Sequence, residues 1–172
     1  MIAEQQAIIA LGSNVGDSRT MIRSAMDRLQ MLSRVPLRRS SLWQTPPVDC
    51  PAGSPWFVNA VAGLVAPPAF TPETMLEHLQ ALEKEFGRQP KKILNEPRPL
   101  DLDLIAFGAE VRTAPNLVLP HPRALQRRFV LQPLAEILPD LVLPGQTRTI
   151  AECLGALETA SGLIRLEAPR TG

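Results

Sequence analysis

Tyrosine is missing from this chain altogether, and tryptophan, histidine and cysteine occur only twice each. Cys50 and Cys153 lie far apart and neither His78 nor His121 has a Cys or His neighbour at ligand spacing, so neither a disulfide framework nor a zinc site is expected. A reducing, cytoplasmic setting is the default for such cysteine usage. The opening Met1-Ile-Ala-Glu-Gln-Gln lacks the basic and apolar regions of a secretory signal. The run Val58 to Ala66, interrupted by Asn59 and Gly63, is far shorter than a bilayer span, so no membrane segment is expected. No surplus of either charge exists: 18 basic residues face 17 acidic ones, a net charge of +1. Without a global field the chain is not a general nucleic-acid or lipid binder, and any polyanion site must be local. Glycine-rich phosphate fingerprints, internal repeats and low-complexity tracts are lacking too.

What is abundant is proline, with 18 residues, about twice ordinary usage. Prolines gather at Pro46-Pro47, Pro51, Pro55, Pro67-Pro68, Pro90, Pro97, Pro99, Pro120 and Pro122, where they stiffen loops between regular elements. Ala7 to Leu11 reads as a buried strand closed by Gly12-Ser-Asn14. Asp17 or Ser18 can cap a helix whose Met21, Ile22, Ala25, Met26, Leu29 and Leu32 form one apolar stripe. Val35 to Thr45 and Trp56 to Ala66 read as antiparallel strands around the loop Pro46 to Pro55. Thr71-Pro72-Glu73 starts a second helix, with Met75, Leu76, Leu79, Leu82 and Phe86 on its inner stripe and Gly87 at its end. Leu100 to Phe107 is a further strand and Gly108 its turn. The order strand, helix, strand, strand, helix, strand predicts an α+β, ferredoxin-like antiparallel sheet. Helices over Arg127 to Leu138 and Ile150 to Thr159, and short strands over Leu141 to Leu143 and Leu163 to Leu166, then elaborate one domain spanning 1–172.

The chemistry concentrates at Asp101-Leu102-Asp103. In a strand both carboxylates project from one face, about 7 Å apart, while Leu100, Leu102 and Leu104 point to the other. Two like charges so close call for cations, and hard carboxylate oxygens suit magnesium brought by a phosphate substrate; a half-exposed strand with two solvated Asp residues is the bland alternative. Arg88, Lys91, Lys92 and Arg98 lie on the loop feeding this strand, where they either fold over a triphosphate or remain a solvated basic loop. Gln80 and Glu83 share a helix face, most simply one turned to water. Phe57 and Asn59, two apart on a strand, offer a stacking ring and an amide for a flat heterocycle, or ordinary packing. His121, set between Pro120 and Pro122, can donate to a phosphate, and Phe129 closely follows His121, Arg123, Arg127 and Arg128.

Taken together, Leu11-Gly-Ser-Asn14, Thr45-Pro-Pro47, Phe57-Val-Asn59-Ala60, Gly87-Arg88, Pro97-Arg98-Pro-Leu-Asp101-Leu-Asp103, Pro120-His121 and Arg127-Arg-Phe129 resemble, in order, the 6-hydroxymethyl-7,8-dihydropterin pyrophosphokinases of folate biosynthesis. The resemblance runs from about Ile8 to Pro144. It implies transfer of the β,γ-pyrophosphoryl group of ATP to the pterin hydroxymethyl oxygen, leaving AMP. Asp101 and Asp103 would hold two magnesium ions, and Arg88 and Arg98 would neutralise charge growing on the transferred group and on AMP. Gln80, Glu83, Lys91, Leu104, His121 and Arg127 would belong to the nucleotide side. Thr45, Pro46, Pro47 and Val48 would line the pterin pocket, with Asn59 reading the pterin edge and Phe57 and Phe129 packing on its faces. No side chain stands out as a general base beyond Asp103 with the metal-polarised hydroxyl. ATP and the pterin are the implied partners of a monomer, without nucleic acid or membrane.

Departures from the family pattern cluster before the Asp pair. Pro90 stands where a second arginine is usual, Leu94 where a basic residue is usual, and Asn95-Glu96 where a Trp-Gly pair is usual; Phe57 replaces a tyrosine. These changes bear on lid closure and turnover more than on metal or pterin binding, and Lys91 and Lys92 offer partial compensation. They also define the rival readings. A pterin- or nucleotide-binding paralogue with impaired catalysis would fit the altered loop. A ferredoxin-like RNA-binding module would need stacking aromatics and a basic sheet face that are not here. A sugar-nucleotide transferase using the Asp-Leu-Asp triplet would need a longer chain.

Overall fold

The computed structural model describes residues 5–47, 50–87, 99–157 and 162–167. An inner strand of its main sheet is β1 (Gln5–Ser13), which carries apolar residues on both faces. Ala7, Ile9 and Leu11 enter one core and Ile8 the other, as the period of two requires for a strand covered on both faces. β1 is flanked antiparallel by β4 (Phe57–Ala66) and by β5 (Asp101–Phe107). Outside β4 runs β3 (Leu42–Thr45), and outside β3 the late strand β8 (Ile164–Glu167), so the order is β5-β1-β4-β3-β8. The short β2 (Arg38–Arg39) also pairs with β4.

Two helices cover one face. α1 (Ser18–Gln30) is capped by Asp17, whose carboxylate accepts from the Thr20 amide at 3.2 Å and the Thr20 hydroxyl at 2.8 Å. These bonds hold its carboxyl below the usual range. α2 (Pro72–Glu85) begins with Thr71 as its cap, Pro72 at the first helical position and Glu73 in the first turn, as its sequence predicts, and Thr71 and Thr74 are bonded reciprocally. It ends before Gly87, whose φ of 95° favours glycine. The stripes Ile22, Ala25, Met26, Leu29 and Met75, Leu79, Leu82 pack with the inward residues of β1, β4 and β5. Each large apolar side chain buried there contributes about 1.5–3 kcal/mol. The exposed Arg28–Glu85 ion pair joins the two helices outside this core.

α3 (Arg128–Ile137) and α4 (Ile150–Ala156) cover the other face. Val130, Leu131, Leu134 and Ile150 pack there with Ile8, Val61 and Ile105. Glu136 ties α3 to β3. Its carboxylate accepts from the Ser41 amide at 3.2 Å, the Ser41 hydroxyl at 2.6 Å and the Trp43 indole N–H at 2.7 Å.

Three details differ from the sequence expectations. The strand anticipated from Val35 begins at Arg38 and breaks at Ser40-Ser41. There the Ser40 hydroxyl accepts from the Val61 amide at 2.8 Å, so a side chain takes over a rung of the ladder. Leu141 to Leu143 form a loop and not a strand, with the Leu141 carbonyl accepting from the Ile150 amide at 2.8 Å and the Leu143 carbonyl from Gln146 at 3.0 Å. An unanticipated hairpin, β6 (Arg112–Ala114) and β7 (Leu117–Leu119), follows β5 and sends Leu117 and Leu119 into the first core. Among the described residues no helix is long and apolar enough to cross a membrane.

Because one carboxylate satisfies three donors, two on Ser41 just before β3 and one on Trp43 within it, Glu136→Ala is expected to lower unfolding free energy by about 1–3 kcal/mol in urea denaturation. Glu136→Gln, which keeps an acceptor oxygen, is expected to lose less.

Candidate active site

Strand register places the carboxylate pair. Across the sheet Asp101 faces Gly12 on β1, Gly12 faces Asn59 on β4, and Asn59 faces Trp43 on β3. Directly opposed residues of antiparallel strands project to the same side, so Asp101, Asn59 and Trp43 share the face covered further along by α3. Asp103, one step along, faces Ala10. The two carboxylates therefore have small neighbours on β1, a glycine and an alanine. Asp101 and Asp103 are half-buried, while Leu102 and Leu104 enter the opposite core.

Gly12 separates the acidic end from a neutral polar pair. The Asn59 amide donates to the Thr45 hydroxyl at 2.6 Å, and both residues are buried. A Cβ built on Gly12 would meet the Asn59 carboxamide oxygen at 2.9 Å and the Phe57 ring at 3.6 Å. Glycine is required here for close approach and not for an unusual φ. With strands spaced by about 4.8 Å, Asp101 and Asn59 stand about 10 Å apart across a floor that has no side chain. Asn14, just beyond, donates to the Pro55 carbonyl at 3.2 Å and ties the end of β1 to the loop carrying Pro46 and Pro47.

Because β5 is an edge strand, its outward main chain needs partners from elsewhere. Glu83 on α2 accepts from the Leu102 amide at 2.8 Å, and the His121 amide donates to the Ile105 carbonyl at 2.8 Å. These two bonds fix Glu83 and His121 beside the Asp pair. The His121 Nδ1 accepts from the Arg123 amide at 3.2 Å, which puts the proton of the neutral ring on Nε2. Burial holds the His121 pKa below its ordinary value of 6.5, the Arg127 and Arg123 charges push it the same way, and Asp101 opposes them. Arg127 precedes α3, and its guanidinium lies over the Phe129 ring, 5.5 Å from the centroid.

Asp101, Asp103, Glu83, His121, Arg127 and Phe129 thus gather around one end of β5 and α3, and Thr45, Phe57 and Asn59 lie across Gly12 from them. Gln80 is exposed one turn before Glu83. The Leu104 side chain is in the core, 4 % exposed, so only its main chain is available to a ligand. His78 stacks on Phe70, with centroids 5.0 Å apart. Val48, Arg88, Lys91 and Arg98 lie outside the described residues, as do Pro90, Leu94 and Asn95. Sequence reasoning missed the packing role of Gly12 and the contribution of Arg123 to His121; the quoted Leu11-Gly-Ser-Asn14 motif was the only signal for the former. Among the described residues no group of three or more His, Cys, Asp and Glu side chains forms a metal cage. A carboxylate pair suits an ion that keeps water and takes substrate phosphates as its other ligands, as magnesium does.

A family model described as 7,8-dihydro-6-hydroxymethylpterin-pyrophosphokinase matches residues 8–139. The 2-amino-4-hydroxy-6-hydroxymethyldihydropteridine pyrophosphokinase of Pseudomonas aeruginosa is 40% identical over 153 residues, covering 88% of this chain and 91% of that protein. Its namesake in Methylorubrum extorquens is 37% identical over 164 residues, covering 94% and 99%. The folic acid synthesis protein fol1 of Pneumocystis carinii is 37% identical over 153 residues, but the chain spans only 20% of that protein. The crystal structure of Plasmodium falciparum HPPK-DHPS with pteroate matches with a TM-score of 0.68 at 13% identity, over 88% of this chain and 42% of that one. That likeness is one of fold.

Two outcomes follow from the geometry. Gly12→Ala is expected to displace Asn59 and Phe57 and to weaken binding of a heterocycle against them by about tenfold, near 1.4 kcal/mol, with nucleotide affinity little changed in calorimetric titrations. For His121, a folded pKa below the unfolded one means that the folded state binds fewer protons, so its contribution to stability is complete above about pH 6.5 and declines on acidification. Its imidazole signals in an NMR titration are expected to move with a midpoint below 6.5; a midpoint above it would contradict the burial argument.

Proposed function

Because the chain belongs to the 7,8-dihydro-6-hydroxymethylpterin-pyrophosphokinase family, we infer that it transfers the pyrophosphoryl group of ATP to 6-hydroxymethyl-7,8-dihydropterin in folate biosynthesis, releasing AMP. It is an ATP-dependent pyrophosphokinase, a diphosphotransferase. The observation that carries this reading is the row Asp101–Gly12–Asn59, which sets a carboxylate of the acidic pair and a hydrogen-bonding amide on one face with only a glycine between them.

The division of labour follows from that row. Asp101 and Asp103 would hold magnesium, two ions in our reading, whose chemistry is to screen and polarise the phosphates. Arg127 provides a fixed charge for triphosphate oxygens, and neutral His121 provides an Nε2 proton for a phosphate oxygen without adding to the cationic field. Arg88 and Arg98 are assigned to the charge that grows on the transferred group and on AMP, and Lys91 to the triphosphate. Glu83, held on the Leu102 amide, keeps β5 in place beneath the nucleotide, with Gln80 and the Leu104 main chain assigned to the same side.

On the other side of Gly12, Asn59 and Thr45 read the polar edge of the pterin and Phe57 packs on one of its faces, while Phe129, from the β5 side, is assigned to the other. Pro46, Pro47 and Val48 complete the pocket. The span of about 10 Å between Asn59 and Asp101 lets a flat heterocycle rest on Asn59 while its hydroxymethyl group reaches the acidic end. Catalysis here is positioning with electrostatic stabilisation, and Asp103 is the nearest candidate to receive the hydroxyl proton. The strand order β5-β1-β4-β3 supports a ferredoxin-like arrangement within one domain. We assign the enzyme to the cytoplasm as a monomer.

Asp101→Ala and Asp103→Ala are each expected to reduce AMP release with ATP, magnesium and the pterin by about 10³-fold or more, with melting temperature and pterin binding retained. Near-normal AMP production by either variant would remove the metal role.

A further inference from the structure

The strand β8 lies beyond residues 8–139, the part of the chain that matches the family. It pairs antiparallel with β3, Trp43 opposite Arg165 and Gln44 opposite Ile164. Continued by two residues, that register sets Gly162 level with Pro46, the second residue of the Thr45-Pro46-Pro47 turn. The packing agrees. A Cβ built on Gly162 would lie 3.3 Å from both Cδ and Cγ of Pro46 and 3.6 Å from the Trp56 ring. Gly162 also has φ of +104°, a conformation side chains rarely adopt. Glycine is therefore demanded twice, by the turn into β8 and by the contact.

We propose that Gly162 is a positioning residue for the pterin-side loop, setting where Pro46 stands and hence the outer wall of the pterin pocket. This rests on the pterin pocket assigned above. Thr45 is anchored from within the sheet by its bond from Asn59, whereas Pro46, next along, meets the returning C-terminal chain. A substituent at Gly162 must push the Pro46 ring away by some tenths of an ångström or lift β8 from β3. Either movement loosens the wall on the pterin side and leaves Asp101, Asp103, His121 and Arg127, which lie across Gly12, in place.

The test compares Gly162→Ala, Gly162→Asn and Gly145→Ala by steady-state kinetics in both substrates and by pterin binding without nucleotide. Asparagine tolerates positive φ better than alanine yet brings the same Cβ, which separates backbone strain from contact. Gly145 has φ of +80° and no atom within 4 Å of a built Cβ, so Gly145→Ala imposes strain alone. Both Gly162 variants are expected to raise KM and Kd for the pterin about tenfold, against the ~10²-fold that a full 1 Å misplacement can cost, with KM for ATP unchanged. Gly145→Ala is expected to leave pterin binding as in the parent. Pterin constants within about twofold of the parent in both Gly162 variants, or an equal rise in Gly145→Ala, would overturn the proposal while leaving the assigned activity standing. A parent protein that releases no pterin-dependent AMP would instead overturn the activity, and the proposal with it.

Discussion

Everything in the site depends on the pairing register of three strands. β1 lies between β4 and β5, and its Gly12 is opposite both Asn59 and Asp101. A slip of one residue in either pairing would turn a side chain to the wrong face, because side chains alternate with a period of two. Both faces of β1 are buried in apolar cores, so such a slip would also bury the wrong residues. The energy that sets the register is therefore ordinary hydrophobic burial, and the alignment of polar groups at the end of the sheet is its by-product.

Charge is handled locally. The chain has almost no net charge, yet the neighbourhood of β5 brings the Asp101 carboxylate and the Arg123 and Arg127 cations to act on a half-buried imidazole. Burial and the arginines both push the His121 pKa below its ordinary value, which favours the neutral ring. A charged His there would add to a repulsive cluster when no polyanion is bound.

Much of this was legible in the sequence, for identifiable reasons. α1 and α2 carry an apolar period of 3.6 with a cap residue, β1 is a continuous apolar run and β5 an alternation that leads into one, and their boundaries fall close to those expected. The break at Ser40-Ser41 could not be read, because it depends on a serine hydroxyl replacing a ladder bond with Val61, 21 residues away. The hairpin of β6 and β7 has strands of 3 residues, too short for any period to show. Leu102 and Leu104 alternate with the Asp pair as expected and are core residues, so a nucleotide role for Leu104 would have to be a main-chain one. The least legible feature was the function of Gly12, since it arises only when Asp101 and Asn59, far away in the chain, arrive on either side.

The edge position of β5 has a consequence for life in a crowded solution. An unpaired strand edge is a template on which another chain can add by main-chain hydrogen bonds, the first step of many aggregation processes. Here the edge amide of Leu102 is occupied by Glu83 and the carbonyl of Ile105 by the main chain of His121, and the same strand bears the two acidic side chains of Asp101 and Asp103. The residues proposed for nucleotide chemistry would thereby also act as gatekeepers of solubility. Replacing them would threaten the reluctance of one molecule to stack against the next as well as the proposed chemistry.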